Sequence, residues 1–169
     1  MCIETERLII TDLTPDMAEA VHLNSLDEDN RRFVPDEVFE TTEVAREVVT
    51  DLIACYDTEE GPFVYAVLLK DSSENIGYVQ LVRIPEGWEV GYHIAKRHTG
   101  KGYATEAIRA FLPVIAQARG VREIIGVCLA DNAASARVLE KCGFRREFRG
   151  IGDYQGEKRE IIRSRWTDN

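Results

Sequence analysis

The stretch WEVGYHIAKRHTGKGYATEA, residues 88–107, changes character twice within twenty residues. Its first part, through Ala95, reads as a β-strand. Lys96 to Gly102 then brings two glycines and three cationic side chains, Lys96, Arg97 and Lys101. From Gly102 onward the pattern becomes helical. A helix starting there leaves backbone N–H groups unpaired and turns the positive end of its dipole toward the loop. Glycines let a ligand come close to that backbone, so the turn suits a phosphate or pyrophosphate. It is not a P-loop, because Ala95 stands where the first glycine belongs and Gly102, not Ser or Thr, follows Lys101. Nor is it the dinucleotide fingerprint, whose glycine spacing differs and which follows a different kind of strand connection.

Upstream of this turn, PFVYAVLLK (62–70), IGYVQLVRI (76–84) and WEVGYHIA (88–95) are apolar runs separated only by DSSEN and PEG. Such short polar connections predict an antiparallel meander. Downstream, the spacing predicts a helix over about 102–119, with Ala104, Ala107, Ile108, Phe111, Leu112 and Ile115 on one face. Pro113 within it predicts a kink or a break. REIIGVCLA (122–130) reads as a buried strand, and NAASARVLEKCG (132–143) as a helix closed by Gly143. FRREFRGIGDY and EKREIIRSRW form a final hairpin around QGE.

Toward the N-terminus, the alternation in IETERLIITDL predicts one strand over about 3–12. A first helix starts at TPDMAEAVHLNSL, with Thr14 as cap and Pro15 at the first helical position. A second runs through TTEVAREVVTDLIACYDTEE, its apolar stripe at Val44, Val48, Leu52 and Cys55. The order is strand, two helices, three strands, helix, strand, helix, two strands. That is an α/β (α+β) chain with a central mixed, largely antiparallel seven-stranded sheet flanked by about four helices.

The length of 169 residues fits a single domain, 1–169, with a real core. No apolar run is long enough for a membrane span, and MCIETERLII has acids where a signal peptide is basic. A cytoplasmic protein without a membrane partner is expected. Cys2, Cys55, Cys128 and Cys142 are far apart, and His22, His93 and His98 make no ligand pattern with them, so no metal is expected.

The net charge is −9, unevenly spread. Residues 1–60 hold seventeen acids against four arginines, while residues 96–165 hold fifteen Lys/Arg against eight acids. The basic half suits an anionic ligand and the acidic half a cationic one; solvated helix faces are the alternative reading. The overall negative charge argues against nucleic acid as the main partner.

Arg97-x-x-Gly100-x-Gly102 matches the [Gln/Arg]-x-x-Gly-x-[Gly/Ala] signature of the GNAT (GCN5-related) N-acetyltransferases, and the match continues into YATEAIRAFL. ADNAASARVLEKCGF resembles the second family motif. The opening TERLIITDLTPDMAEAV and the block at 88–107 resemble the RimJ/RimL-type branch, which includes ribosomal-protein N-terminal acetyltransferases. The resemblance spans nearly the whole chain in the right order.

The resemblance implies the GNAT fold and acetyl-CoA as co-substrate, without a metal. By position it implies that Arg97, His98, Thr99, Gly100, Lys101, Gly102, Tyr103 and Ala104 hold the pyrophosphate. Tyr92, His93, Ile94 and Ala95 would pair with the pantetheine amides, beside a splay between their strand and REIIGVCLA. Asn132 and Ser135 share one helix face. By resemblance Asn132 lies near the cofactor and Ser135 donates to the departing thiolate. Asn132 also suits a helix N-cap. Several GNAT proteins keep an acid where Glu89 stands, which makes it the candidate base. Asp153, Tyr154, His93 and water are the alternatives. No Ser–His or Cys–His pair offers a covalent route.

The implied reaction is direct attack of a primary amine on the thioester. The acceptor would be a protein N-terminal amine or a small cationic amine, because the family's acceptor wall falls on the acidic segment. A non-catalytic acyl-CoA-binding sensor or scaffold is the alternative. Monomer and homodimer both stay open.

Overall fold

The computed structural model describes residues 1–168. It contains eight strands and five main helices. In chain order these are β1 (Cys2–Glu4), β2 (Leu8–Asp12), α1 (Ala18–Ser25), α2 (Glu28–Phe33), α3 (Thr42–Ala54), β3 (Phe63–Leu69), β4 (Asn75–Ile84), β5 (Gly87–Ile94), α4 (Tyr103–Arg119), β6 (Glu123–Leu129), α5 (Ala133–Lys141), β7 (Arg145–Tyr154) and β8 (Glu157–Thr167). They form one sheet in the order β1-β2-β3-β4-β5-β6-β8-β7. Every neighbouring pair is antiparallel except β5 and β6.

The eighth strand comes from dividing the expected first one. The Thr5 N–H donates to the Leu8 carbonyl at 2.9 Å, and the Thr5 Oγ1 accepts from the Leu8 N–H at 2.9 Å. The chain reverses there, and Cys2–Glu4 folds back on Ile9–Thr11. Glu106 of α4 pins the turn, accepting from Thr5 Oγ1 at 2.6 Å and from Arg7 Nε at 2.7 Å. The fifth helix, α2, lies in the polar stretch EDNRRF, which has no apolar periodicity to announce it. Buried Asn30 holds it in place by donating to the carbonyls of Ser25 and Glu37.

Helices α1 and α3 cover one sheet face, where Leu13, Val49, Val64 and Ala66 are buried together. The stripe of α3 is rotated from expectation: Ala45 and Val49 point inward, and Val44 is exposed. Helix α4 covers the other face, burying Ala107, Ile108, Phe111, Leu112 and Ile115. It runs through Pro113 without a break. The proline is on the solvent side, and Arg109, whose carbonyl has no N–H partner at Pro113, is an exposed residue as well. Helix α5 packs beside β6 on this same side.

Candidate active site

Strand β5 pairs with β4 along its whole length, from Gly87 to Ile94. On its other edge it makes one parallel ladder pair with β6, Glu89 with Ile125. Beyond that pair the two strands diverge. A cavity of about 1200 Å³ lies over this opening. Its walls come from β4, β5, β6, the loop after β5, the starts of α4 and α5, the α2–α3 connection and the β7–β8 hairpin.

One wall is the loop after β5. Ala95 is buried, and Lys96–His98 makes one 3-10 turn. Gly100 and Gly102 both have positive φ, 76° and 83°. Gly102 occupies the cap position of α4 without a capping side chain, which leaves the helix's first N–H groups free. A Cβ on Gly100 would meet nothing within 4 Å, so the space above this backbone is open. Such a turn fits an anionic group such as a pyrophosphate. Thr99, Gly100, Gly102, Tyr103 and Ala104 line the cavity there.

Two of the loop's cations, Arg97 and Lys101, do not. Arg97 is turned onto Glu74 Oε1 at 2.9 Å and Asn24 Oδ1 at 3.0 Å. Lys101 contributes its carbonyl to Arg7 Nη1. The basic groups facing this part of the cavity are Lys96, Arg137 and Lys141. The latter two stand four residues apart on α5, a helical spacing that was available in the sequence. His98 lines the cavity with Nε2 on Glu74 at 3.0 Å, while its Nδ1 is buried without a partner among the described residues.

Near the opening, Tyr92 Oη lies 2.8 Å from Ser135 Oγ and 3.2 Å from the Ser135 carbonyl. Burial drives the Tyr92 pKa upward, so the phenol keeps its proton at neutral pH. Asn132 is the N-cap of α5, its Oδ1 accepting from the Ser135 N–H at 3.1 Å. That bond fixes the turn presenting Ser135. Cys128 also lines the cavity. The Tyr92 hydroxyl and Cys128 were not foreseen, because both are ordinary strand residues in the sequence.

On the opposite side, Glu89 projects from β5 into the cavity. Burial first, and the neighbouring Glu86 second, push its carboxyl up to about 7. His93, by contrast, is lowered by burial, in spite of Asp27 Oδ2 at 3.5 Å, and Nε2 is 3.2 Å from the Asn24 carbonyl. Asp153 is on the rim but paired with Lys158 at 2.8 Å. Tyr154 is pushed up to about 12, mainly by burial. Its hydroxyl donates to the Phe33 carbonyl at 2.7 Å, clasping the hairpin tip to the end of α2. The site thus unites Glu89, Tyr92, His93, Ile94, His98, Thr99, Gly100, Gly102, Tyr103, Ala104, Asn132 and Ser135 on one cavity, while Ala95, Arg97 and Lys101 are not part of its lining. Among the described residues no three His, Cys, Asp or Glu side chains gather as a metal-ligand group, and no helix is long and apolar enough to cross a membrane.

A sequence model of the acetyltransferase (GNAT) domain matches residues 7–145. YoaA of Bacillus subtilis, named an uncharacterized N-acetyltransferase, is 30% identical over 148 residues, covering 86% of this chain and 83% of its own. The crystal structure of a GNAT-family acetyltransferase from Bacillus anthracis superimposes with a TM-score of 0.84 at 27% identity, covering 99% of this chain and 98% of that one. The ribosomal L7/L12 α-N-protein acetyltransferase RimL, solved with coenzyme A, shares the fold with a TM-score of 0.84 at 18% identity, covering 99% and 98%.

Proposed function

We propose, from the premise that this chain belongs to the GNAT family and is an N-acetyltransferase, that it moves the acetyl group of acetyl-CoA onto a primary amine by direct attack. The observation that carries this is the single ladder pair between β5 and β6. It opens the sheet between a glycine-lined helix N-terminus on one side and a buried carboxyl on the other.

Acetyl-CoA supplies the acetyl group as an activated thioester. The free N–H groups at Gly102–Ala104 hold its pyrophosphate, supported by Lys141 and Arg137. The unpaired edge of β5 at Tyr92–Ile94 offers backbone groups to the pantetheine arm. Glu89 takes a proton from the incoming ammonium group, and a carboxyl titrating near 7 is matched to that task at neutral pH. The freed amine attacks the acetyl carbon. Ser135, steadied by the Tyr92 hydroxyl, gives its proton to the sulfur as the C–S bond breaks and is reprotonated by the second proton that leaves the nitrogen. The acceptor is a protein N-terminal amine or a small cationic amine, and a cytoplasmic setting suits both.

The test is thermal unfolding with and without acetyl-CoA, with ATP and NAD as controls, followed by an amine screen. Ligand at about a hundred times its dissociation constant adds roughly 2.7 kcal/mol. A midpoint rise specific to acetyl-CoA supports the reading. Absence of any rise at saturating acetyl-CoA would overturn it.

A further inference from the structure

Glu37 has no part in the chemistry above, yet its setting is elaborate. It ends the 3-10 turn Pro35–Glu37 between α2 and α3 and lines the same cavity. Its carbonyl accepts from Asn30 Nδ2 at 3.2 Å, which fixes the turn. Its Oε1 accepts from Gln80 Nε2 at 3.1 Å. Its Oε2 is buried with no hydrogen-bond partner among the described residues.

Gln80 reaches Glu37 by lying across β5 at Gly91. A Cβ on Gly91 would stand 2.5 Å from Gln80 Nε2 and 2.8 Å from its Cγ. The missing side chain is therefore a notch that the glutamine occupies. Gln80 pairs with Gly91 and Val82 with Glu89. These are alternate positions on one sheet face, so the notch and the root of the Glu89 side chain are one pleat repeat apart, roughly 7 Å. Two carboxyl groups thus share one cavity, and among the described residues neither has a cationic partner. Burial pushes Glu37, like Glu89, up to about 7.

We propose that Glu37, held by Gln80 across the Gly91 notch, is a specificity-determining residue that binds a second ammonium group, so that the acceptor is an aliphatic primary amine with another ammonium a few carbons away. The inference rests on the function proposed above, with Glu89 receiving the proton of the reacting amine. The proton count then closes. Of the two protons the reacting ammonium loses, one goes to Glu89 and one to the departing sulfur. The second ammonium keeps all of its protons and remains beside Glu37. A monoamine, once deprotonated, would leave the Glu37 carboxylate buried and unpaired, which is costly.

The experiment compares 1,4-diaminobutane with butylamine as acceptors at pH 8 and low salt, using the intact protein and Glu37→Gln. The intact protein is expected to favour the diamine in kcat/KM by tenfold or more. Glu37→Gln is expected to narrow that ratio severalfold, with the loss on KM for the diamine rather than on kcat. Gly91→Ala, which displaces Gln80, should narrow it in the same direction. Thermal shift by diaminobutane alone gives a reading independent of turnover, and it should be larger in the intact protein than in Glu37→Gln. Equal rates on both amines, or an equal thermal shift in both proteins, would overturn the inference. A fall in kcat with both amines would instead put Glu37 in the chemistry and overturn it as a reader of charge. Acetyl-CoA binding without transfer to either amine would also overturn it, leaving the cofactor half of the proposed function standing. Loss of acetyl-CoA binding itself would remove both.

Discussion

The Tyr92 hydroxyl and Ser135 Oγ are 2.8 Å apart, a bond between β5 and α5 that bridges the opening in the sheet. The serine hydroxyl has one proton and two lone pairs. If it accepts from Tyr92, its own proton is free to go to the departing sulfur.

Ser135→Ala and Tyr92→Phe are therefore expected to act as one unit. Each should lower kcat by about tenfold or more, within the usual range for a positioned proton donor. The double variant should lose little beyond the worse single one. Steady-state kinetics of the four proteins checks this. Fully additive losses would show that the two hydroxyls work independently.

Glu89→Gln should lower turnover by about an order of magnitude or more while acetyl-CoA affinity is retained. In the intact protein kcat should rise with pH, with a midpoint near 7, because the base must be ionised. Stability moves in the opposite direction. The folded-state pKa lies above the unfolded value, so between about 4.5 and 7 the folded protein holds a proton that the unfolded chain releases. Stability therefore falls as pH rises through that window. Glu89→Gln, which cannot ionise, should be more stable than the intact protein at pH 8, by on the order of 1–3 kcal/mol. Unfolding curves at pH 5 and pH 8 test the sign, and a variant destabilised at pH 8 would contradict the burial account.

Much of this arrangement was legible in the chain. The meander and the inward face of α4 follow from apolar spacing alone, and the glycine turn from its position between a strand and a helix. Glu89 and Ser135 stood out only through resemblance to a family. What stayed hidden depends on contacts between residues distant in sequence. The N-terminal strand is divided because Glu106, about a hundred residues away, holds Thr5 and Arg7. Arg97 leaves the cavity wall because Glu74 and Asn24 take its guanidinium. Gln80 is an unremarkable strand residue until Gly91 lies beside it. Local pattern encodes the elements; the pairing of polar groups across elements sets the electrostatics of the site.

At the loop, Gly102 has φ of 83° and Gly100 φ of 76°. Gly102→Ala forces a side chain into a left-handed conformation at a cost of about 1–2 kcal/mol. For a chain of this length that lowers the midpoint by a few degrees, roughly 2–8 °C. Gly100→Ala carries similar backbone strain and meets open space in the free protein. Its added methyl group stands where a ligand would approach the amides. Both variants should bind acetyl-CoA more weakly, and titration calorimetry measures that directly. Unchanged affinity in both would place the pyrophosphate elsewhere.

Tyr154 closes the far end of the cavity through its hydrogen bond to the Phe33 carbonyl, and Gln155 Nε2 reaches the same oxygen at 3.4 Å. The two residues tie the tip of the β7–β8 hairpin to the end of α2, next to the turn carrying Glu37. The tyrosine bond is the shorter, and its removal leaves the carbonyl with only the long contact from Gln155. Net loss of one such bond is worth about 1 kcal/mol. Tyr154→Phe should accordingly lower the unfolding midpoint only slightly. Its larger effect should fall on the acceptor, because the hairpin tip and α2 form the walls of that end. KM for the amine is expected to rise severalfold while the dissociation constant for acetyl-CoA, proposed above to sit at the opposite end against α4, stays the same. Measuring both constants in one preparation separates the outcomes. A matching loss of acetyl-CoA affinity would mean that the clasp supports the whole cavity rather than its acceptor end.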